Sequence, residues 1–427
     1  MTHIDNIDDL YAAFEECACV TTDSRNVTEG AMFFALRGAS FDGNRFACAA
    51  LDAGAAYAVV DSDSPEQERA DLAERLLRVE DSLAALQALA KEHRERLALP
   101  IIAIVGSNGK TTTKELVSRV LAEQFETYAT HGNLNNHIGV PLTLLAMTRD
   151  TQFGVVEMGA SSCGEIATLC EIASPTYGLI TNIGRSHLEG FGGVEGIRRG
   201  KGELFDYLEQ NGGRAFVPQE DEVLVAMAAE RENMAVELYS RSVADGYESH
   251  LVGKYNRANI AAAVEVGRYF DIDTERITTA IAGYTPDNNR SQEMTTERDN
   301  HLIIDCYNAN PSSMTAAIEN IEEMDAEHKV LILGDMLELG EWSMAEHCNI
   351  LRLALTTSCE ELLLVGESFG GALKVLSEET EVENVEIRHF ASTEECAEYL
   401  QENAPKGATL LLKASRGIAL ERLINLL

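Results

Sequence analysis

Lysine is scarce in this chain. There are nine lysines against 25 arginines, and the 34 basic residues together face 70 acidic ones, for a net charge of −36. A surface that tracks a nucleic-acid backbone or an anionic membrane needs a basic face, so neither is an expected partner. Paired cysteines are missing as well. The nine cysteines contain no CxxC and their number is odd, which suits free thiols in a reducing cytoplasm rather than a disulfide framework or a zinc site. No apolar run reaches the roughly 18–20 residues of a membrane span. The start, "MTHIDNIDDLYAAFEE", is acidic and has no apolar h-region, so no secretory signal is expected and the location read is cytoplasmic. No low-complexity tract interrupts a composition of 45% apolar and 24% charged residues, which is that of a globular protein. No GxGxxG opens a helix in the C-terminal part, which argues against a dehydrogenase.

What is present is alternation. A length of 427 residues exceeds one ordinary core. Residues 1–80 mix short strands ("GAMFFALRG", "AAYAVV") with a helix ("NRFACAALDAGA"). "DSLAALQALAKEHRERLAL" has helical spacing, with a cap at Asp81 or Ser82 and a stop at Pro100. From 101 onward the apolar runs "IIAIVG", "FGVVEM" and "YGLITNI" each precede a helix, the pattern of a parallel sheet wrapped by helices. "GYTPDNNRSQE" (283–293) reads as a linker. A second alternating run follows: "HLIIDC", "KVLILG", "ELLLVG", "VEIRHF" and "ATLLLKA", each expected to lead into a helix. The expected fold is α/β in three domains: a small α/β domain at 1–80, a central phosphate-loop ATPase-like parallel sheet at 81–288, and a Rossmann-like domain at 289–427.

"AIVGSNGKTTTKE" (103–115) carries the chemistry most directly. A turn that holds a triphosphate needs inward backbone N–H groups, glycines where a side chain would block approach, a lysine for the β- and γ-phosphates, and a Ser or Thr for magnesium. Gly106, Ser107, Asn108, Gly109, Lys110, Thr111 and Thr112 supply these after a buried strand and before a helix. The generic eight-residue motif is not met, because Ile104 stands where its first glycine would be, so the loop is a shortened GxxGKT form. Glu157 ends the strand after the loop helix, where an acid can share magnesium with the threonine.

Other stretches are less specific alone. "THGNLNNHIGVP" (130–141) offers Asn133, Asn135 and Asn136, whose amides both donate and accept and so suit a neutral polar ligand; read alone it is also an ordinary turn. "TNIGRSHLEGFGG" puts His187 just beyond a strand, and "RRGKGELF" puts Lys201 on a helix, where a lysine is ordinarily a solvated charge.

In this order, the stretches resemble the Mur ligase family of ATP-dependent amide-forming enzymes of bacterial cell-wall synthesis. The resemblance covers nearly the whole chain. "TTDSRNVTEGAMFFALRGASFDG" resembles the family's uridine-nucleotide-binding start, and "GKYNRANIAAA" its adenine-side helix. "DCYNANPSSM", "LGDMLELG" and "LLKASRG" resemble the branch whose substrates are a UDP-N-acetylmuramoyl-tripeptide and D-alanyl-D-alanine. Two departures stand out: Ala414 replaces the glycine of the usual KGSR, and the stretch 214–252 is short, so a reduced sheet is expected there.

The resemblance implies ATP, two Mg²⁺ ions and a carbamylated Lys201. It makes Lys110, Lys201 and His187 catalytic, and gives the metal Thr111, Glu157, His187 and the Lys201 carbamate. It adds Asn256, Asn259, Arg290 and Asp305 to the ATP site. For the other substrates it implies Ser24 and Arg25 at the uridine nucleotide, then Asn133, Asn135, Asn136, Asn308, Asn310, Lys413, Ser415 and Arg416. Asn310 before Pro311 is equally an ordinary helix cap. The implied reaction is peptide ligation through an acyl phosphate, by a monomer. Two alternatives stay open: a ligase of the same superfamily with a different acceptor amine, and a phosphate-loop switch that hydrolyses nucleotide without ligation.

Overall fold

The computed structural model describes residues 2–62, 69–286, 290–379 and 385–427. Three large sheets follow one another along the chain, giving the three-domain α/β fold, and a two-stranded antiparallel pair, Arg37–Gly38 with Phe41–Asp42, lies in the first part. The expected boundary at 288/289 lies outside the described residues.

The first sheet is all parallel. Its strands Thr2–His3, Leu76–Arg78, Tyr57–Val60, Ala31–Phe34 and Cys19–Thr21 lie side by side in that order. Successive residues of "MFF" point to opposite faces, as a strand requires. Phe33 packs with Ala47, Ala50 and Leu51 of the helix Ala47–Asp52. Met32 and Phe34 pack instead with Leu86, Leu89 and Ala90 of the helix Ser82–Leu97. That helix starts at Asp81, whose carboxylate accepts the Ala84 N–H at 2.7 Å, and stops at left-handed Ala98 before Pro100. Its far side joins the same apolar cluster to Ala103 and Val105 of the central sheet, so one core runs through the first two domains.

The central sheet has six parallel strands: Ala235–Tyr239, Arg214–Pro218, Tyr177–Ile180, Ile101–Val105, Phe153–Glu157 and Thr127–Ala129, in spatial order. Ile101–Val105 is apolar at every position because both of its faces are covered. Ile102 and Ile104 meet the helices Lys110–Ala122 and Tyr255–Tyr269, while Ile101, Ala103 and Val105 meet the opposite layer. Two of these strands, Arg214–Pro218 and Ala235–Tyr239, fall within 214–252, so the short stretch still extends the sheet.

The third sheet orders Gln292–Thr295, His301–Asp305, Thr409–Lys413, Lys329–Gly334, Glu361–Val365 and Glu386–Phe390. Two expectations are corrected here. The end of the supposed linker, Gln292–Thr295, is an antiparallel edge strand paired with His301–Asp305. The strand Thr409–Lys413 leads into two short 3₁₀ turns, Arg416–Ile418 and Leu420–Leu426, rather than an α-helix. Helices Pro311–Glu323, Ser343–Ala354 and Glu367–Glu379 cover one face and Thr393–Asn403 the other. At the start of Glu367–Glu379 the carboxylate of Asp335 accepts the N–H groups of Ser368 and Phe369, both at 2.9 Å.

Candidate active site

The order of the central strands reverses around Ile101–Val105, and the crevice at such a reversal is where open α/β sheets bind ligands. The phosphate loop leaves this strand. Gly109 has φ +79°, and a Cβ there would lie 2.5 Å from Asn259 Oδ1, so both backbone and space demand glycine. The helix Lys110–Ala122 has no side-chain cap, which leaves its first-turn N–H groups facing the loop for an anion. The loop is braced from the next strand end: Ser107 Oγ donates to Gly184 O and accepts its N–H, both at 2.9 Å.

Two lysines converge on this loop. Lys110 Nζ donates to Gly106 O at 2.8 Å, and Lys201 Nζ donates to the same oxygen at 3.1 Å. Lys201 is 2% exposed, so the surface reading of this helix lysine does not hold. Burial pushes its amine well below the ordinary lysine range, and the neighbouring Lys110 pushes the same way. Burial also lowers Lys110, with Glu157 opposing and Arg290 reinforcing the shift. Glu157 is buried at its strand end. Its Oε1 accepts from Asn135 Nδ2 at 2.7 Å, and its Oε2 has no hydrogen-bond partner among the described residues. An unpaired buried carboxylate oxygen is costly unless something cationic meets it.

A cleft of about 610 Å³ opens in front of these groups. Its walls include Ser107, Asn108, Gly109, Lys110 and Thr112 from the loop, Asn133, Asn135 and Asn136, and Glu157 and His187. Asn256, Asn259, Arg290, Asp305, Asn308 and Lys413 complete the opposite side. Thr111 is buried beside the wall rather than in it. His187, held at φ +52°, has Nδ1 2.5 Å from Glu338 Oε2 of the third domain, and this contact pulls the Glu338 carboxyl below its usual range. Asn259 accepts from Thr113 Oγ1 at 3.1 Å and donates to Asn256 Oδ1 at 2.8 Å, locking the loop helix to Tyr255–Tyr269. Asp305 and Lys413, paired in register on adjacent strands, form a 2.6 Å ion pair. Arg290 lies over the Tyr307 ring at 3.8 Å.

Other expected residues have different surroundings. Asn136 Oδ1 takes the N–H groups of Ile138 and Gly139, so it also builds the turn. Asn310 caps the helix Pro311–Glu323 and bonds Asn108 rather than lining the cleft. Ser415 is buried, linking the Leu337 N–H to Ala309 O. Arg416 is exposed, 5.3 Å from the Tyr307 centroid. Ser24 and Arg25 lie in the first domain away from the cleft, and Arg25 pairs with Asp23 at 2.8 Å. Ala414 is accommodated opposite Gly334, where an added Cβ would lie 2.7 Å from the Ala414 Cβ. Lys114 and Lys254 also stand inside quoted motifs, but Lys114 pairs with Glu115 and Lys254 with Glu323, and neither lines this cleft. Sequence reading passed over Asn182, Tyr255, Ser291 and Tyr307, which all line the cleft. Asn182, Tyr255 and Tyr307 stand inside quoted motifs and Ser291 inside the supposed linker, and that position is their only signal in the sequence.

Residues 16–94 match the Mur ligase family catalytic domain, 104–247 the Mur ligase middle domain, and 289–416 the Mur ligase glutamate ligase domain. The chain belongs to the Mur ligase family. A UDP-N-acetylmuramoyl-tripeptide–D-alanyl-D-alanine ligase of Bacillus subtilis is 33% identical over 429 residues, covering 95% of this chain and 92% of that protein. The Escherichia coli protein of the same name is 31% identical over 96% of this chain and 93% of its own length. A crystal structure of MurF from Acinetobacter baumannii superposes with a TM-score of 0.82 at 29% identity, covering 98% of this chain and 97% of that one. MurF ligase from Thermotoga maritima in complex with ADP gives 0.80 at 25% identity, covering 97% of each. Among the described residues, no helix is long and apolar enough to cross a membrane.

Proposed function

We propose that this Mur ligase is an ATP-dependent, ADP-forming enzyme that joins D-alanyl-D-alanine to a UDP-N-acetylmuramoyl-tripeptide during peptidoglycan precursor synthesis. It works as a cytoplasmic monomer, with domains divided near 80/81 and 288/289. The observation that carries this reading is the meeting of Lys110 and Lys201 on Gly106 O, in a phosphate loop that shares its cleft with Glu157, whose Oε2 is unpaired among the described residues. Relatives of that name along nearly the whole chain support the choice of substrates.

A carboxylate resists an amine at neutral pH until its charge and resonance are removed. The carboxylate oxygen attacks the γ-phosphorus of ATP, the bond to ADP breaks, and an acyl phosphate forms. The dipeptide amine then attacks the acyl carbon, the tetrahedral adduct expels phosphate, and the amine proton leaves to solvent. The Lys110 ammonium and the loop N–H groups offset the charge of the moving phosphoryl group. Asn256, Asn259, Arg290 and Asp305 hold the nucleotide. Ser24 and Arg25 hold the uridine nucleotide. Asn133, Asn135 and Asn136 flank the reacting acid, and Asn308, Lys413 and Arg416 serve the incoming dipeptide, with Asn310 and Ser415 bracing the segments that carry them from outside the cleft. Bringing three substrates together contributes roughly 7–11 kcal/mol through proximity, and closed domains keep water from the acyl phosphate.

The donor set fits magnesium. Glu157 Oε2 is a buried carboxylate oxygen lacking a partner among the described residues, His187 lines the same cleft and Thr111 opens the loop helix. Magnesium, when bound, offsets charge on the phosphates and the substrate carboxylate; Thr111, Glu157, His187 and a Lys201 carbamate would hold its two ions. That carbamate forms when the unprotonated Lys201 amine attacks carbon dioxide and releases a proton. Its burial, which favours the neutral amine, supports this assignment.

The test is phosphate release with the tripeptide nucleotide and D-alanyl-D-alanine, alongside a panel of other amines and ATP alone. Release should require both substrates and vanish in Lys110→Ala. Preference for another amine would change the assigned acceptor, and turnover with ATP alone would favour a switch protein.

A further inference from the structure

The phosphate loop and the third domain are joined by a reciprocal pair of amides. Asn310 Nδ2 donates to Asn108 Oδ1 at 2.7 Å, and Asn108 Nδ2 donates back to Asn310 Oδ1 at 3.3 Å. The two residues are 202 apart in sequence. Each is fixed on its own side. The Asn108 carbonyl accepts from Thr181 Oγ1 at 2.5 Å and Asn182 Nδ2 at 3.0 Å. Asn310 Oδ1 accepts the Ser313 N–H at 3.0 Å, and the Asn310 N–H donates to Ser313 Oγ at 3.1 Å, a capping box that opens the helix Pro311–Glu323. The second residue of that helix adds a third strut, because Ser312 Oγ accepts the Arg185 N–H at 2.9 Å.

An asparagine is not required for capping, since aspartate or serine does it as well. Only an amide can cap with Oδ1 and also donate from Nδ2 to Asn108. The geometry points to Asn310 as a positioning residue. Through Asn108 it registers the third domain on the nucleotide loop, so the acceptor-binding domain and the loop take up their working geometry as one unit. This inference rests on reading the loop as the ATP site.

Two substitutions separate clasp from cap. Asn310→Asp keeps Oδ1 but loses the donor and sets a carboxylate against Asn108 Oδ1. Asn310→Ser keeps a capping hydroxyl too short to reach Asn108. The single tryptophan reports the interface: Trp342 packs on a cluster joining Leu188, Phe191 and Ile197 to Met336 and Leu339, across the two domains. Both variants should bind ATP within about twofold of wild type and keep their helix content. Both should raise the acceptor KM about tenfold, the scale of losing one or two neutral hydrogen bonds, and blunt the Trp342 emission change on adding ATP. Wild-type acceptor KM and Trp342 response in both variants would overturn the inference. So would impairment that tracks only a loss of helix content. If wild type itself ignored the dipeptide, the proposed function would fall, and the Trp342 response to ATP would still decide the clasp.

Discussion

Lys110 and Lys201 donate to one and the same oxygen, the Gly106 carbonyl, at 2.8 and 3.1 Å. Two ammonium groups in that position repel each other and share one acceptor. The arrangement is comfortable only if one amine is neutral or carries an added negative group.

Lys201→Met removes the buried amine while keeping its bulk. In carbon dioxide-free buffer the substitution should raise the melting temperature at pH 7. The sign follows from linkage. The folded-state pKa of Lys201 is depressed, so between that value and 10.5 the unfolded chain binds the extra proton and stability rises with pH. The advantage of methionine should therefore shrink as pH climbs toward the ordinary lysine pKa. An advantage that stays constant across a melting series in pH would show that Lys201 is charged in the fold. In the assay, Lys201→Ala should be inactive and partly restored by a short carboxylic acid.

The Arg185–Glu346 pair ties the second domain to the third at 2.6 Å, with Glu346 buried and Arg185 half exposed. Removing the arginine strands a carboxylate, which costs more than the exposed pair contributes. Arg185→Ala should lower stability by about 1–2 kcal/mol, and adding Glu346→Gln should recover most of it. A double-mutant cycle on thermal melts measures this. Additive losses would show that the two side chains do not interact.

A net charge of −36 makes the folded chain repel itself, and salt shortens the reach of that repulsion to about 3 Å at 1 M. Melting temperature should rise as KCl is increased toward that concentration. A flat or falling series would mean that the acidic excess is already balanced locally.

The phosphate loop was legible because its chemistry is local: strand, glycine, lysine and helix are consecutive. Strands at 101–105 and 329–334 were legible because burial on both faces forces unbroken apolar runs. The edge strand Gln292–Thr295 was not, because three of its four residues are exposed and carry no pattern. The burial of Lys201 was equally invisible in its helix, since it depends on Gly106 and Phe191 arriving from elsewhere in the chain. At Asn310 the sequence signals a cap and a ligand contact, and no more. Its partner Asn108 is brought to it only by the docking of two sheets.

Asp335 has a wider consequence. A helix N-terminus after a parallel strand is a ready seat for a phosphate, and here the chain's own carboxylate already sits on the N–H groups of Ser368 and Phe369. A negative charge built into that turn turns other anions away. That helix start is therefore closed to a phosphate group, and whatever the third domain recognises meets it elsewhere.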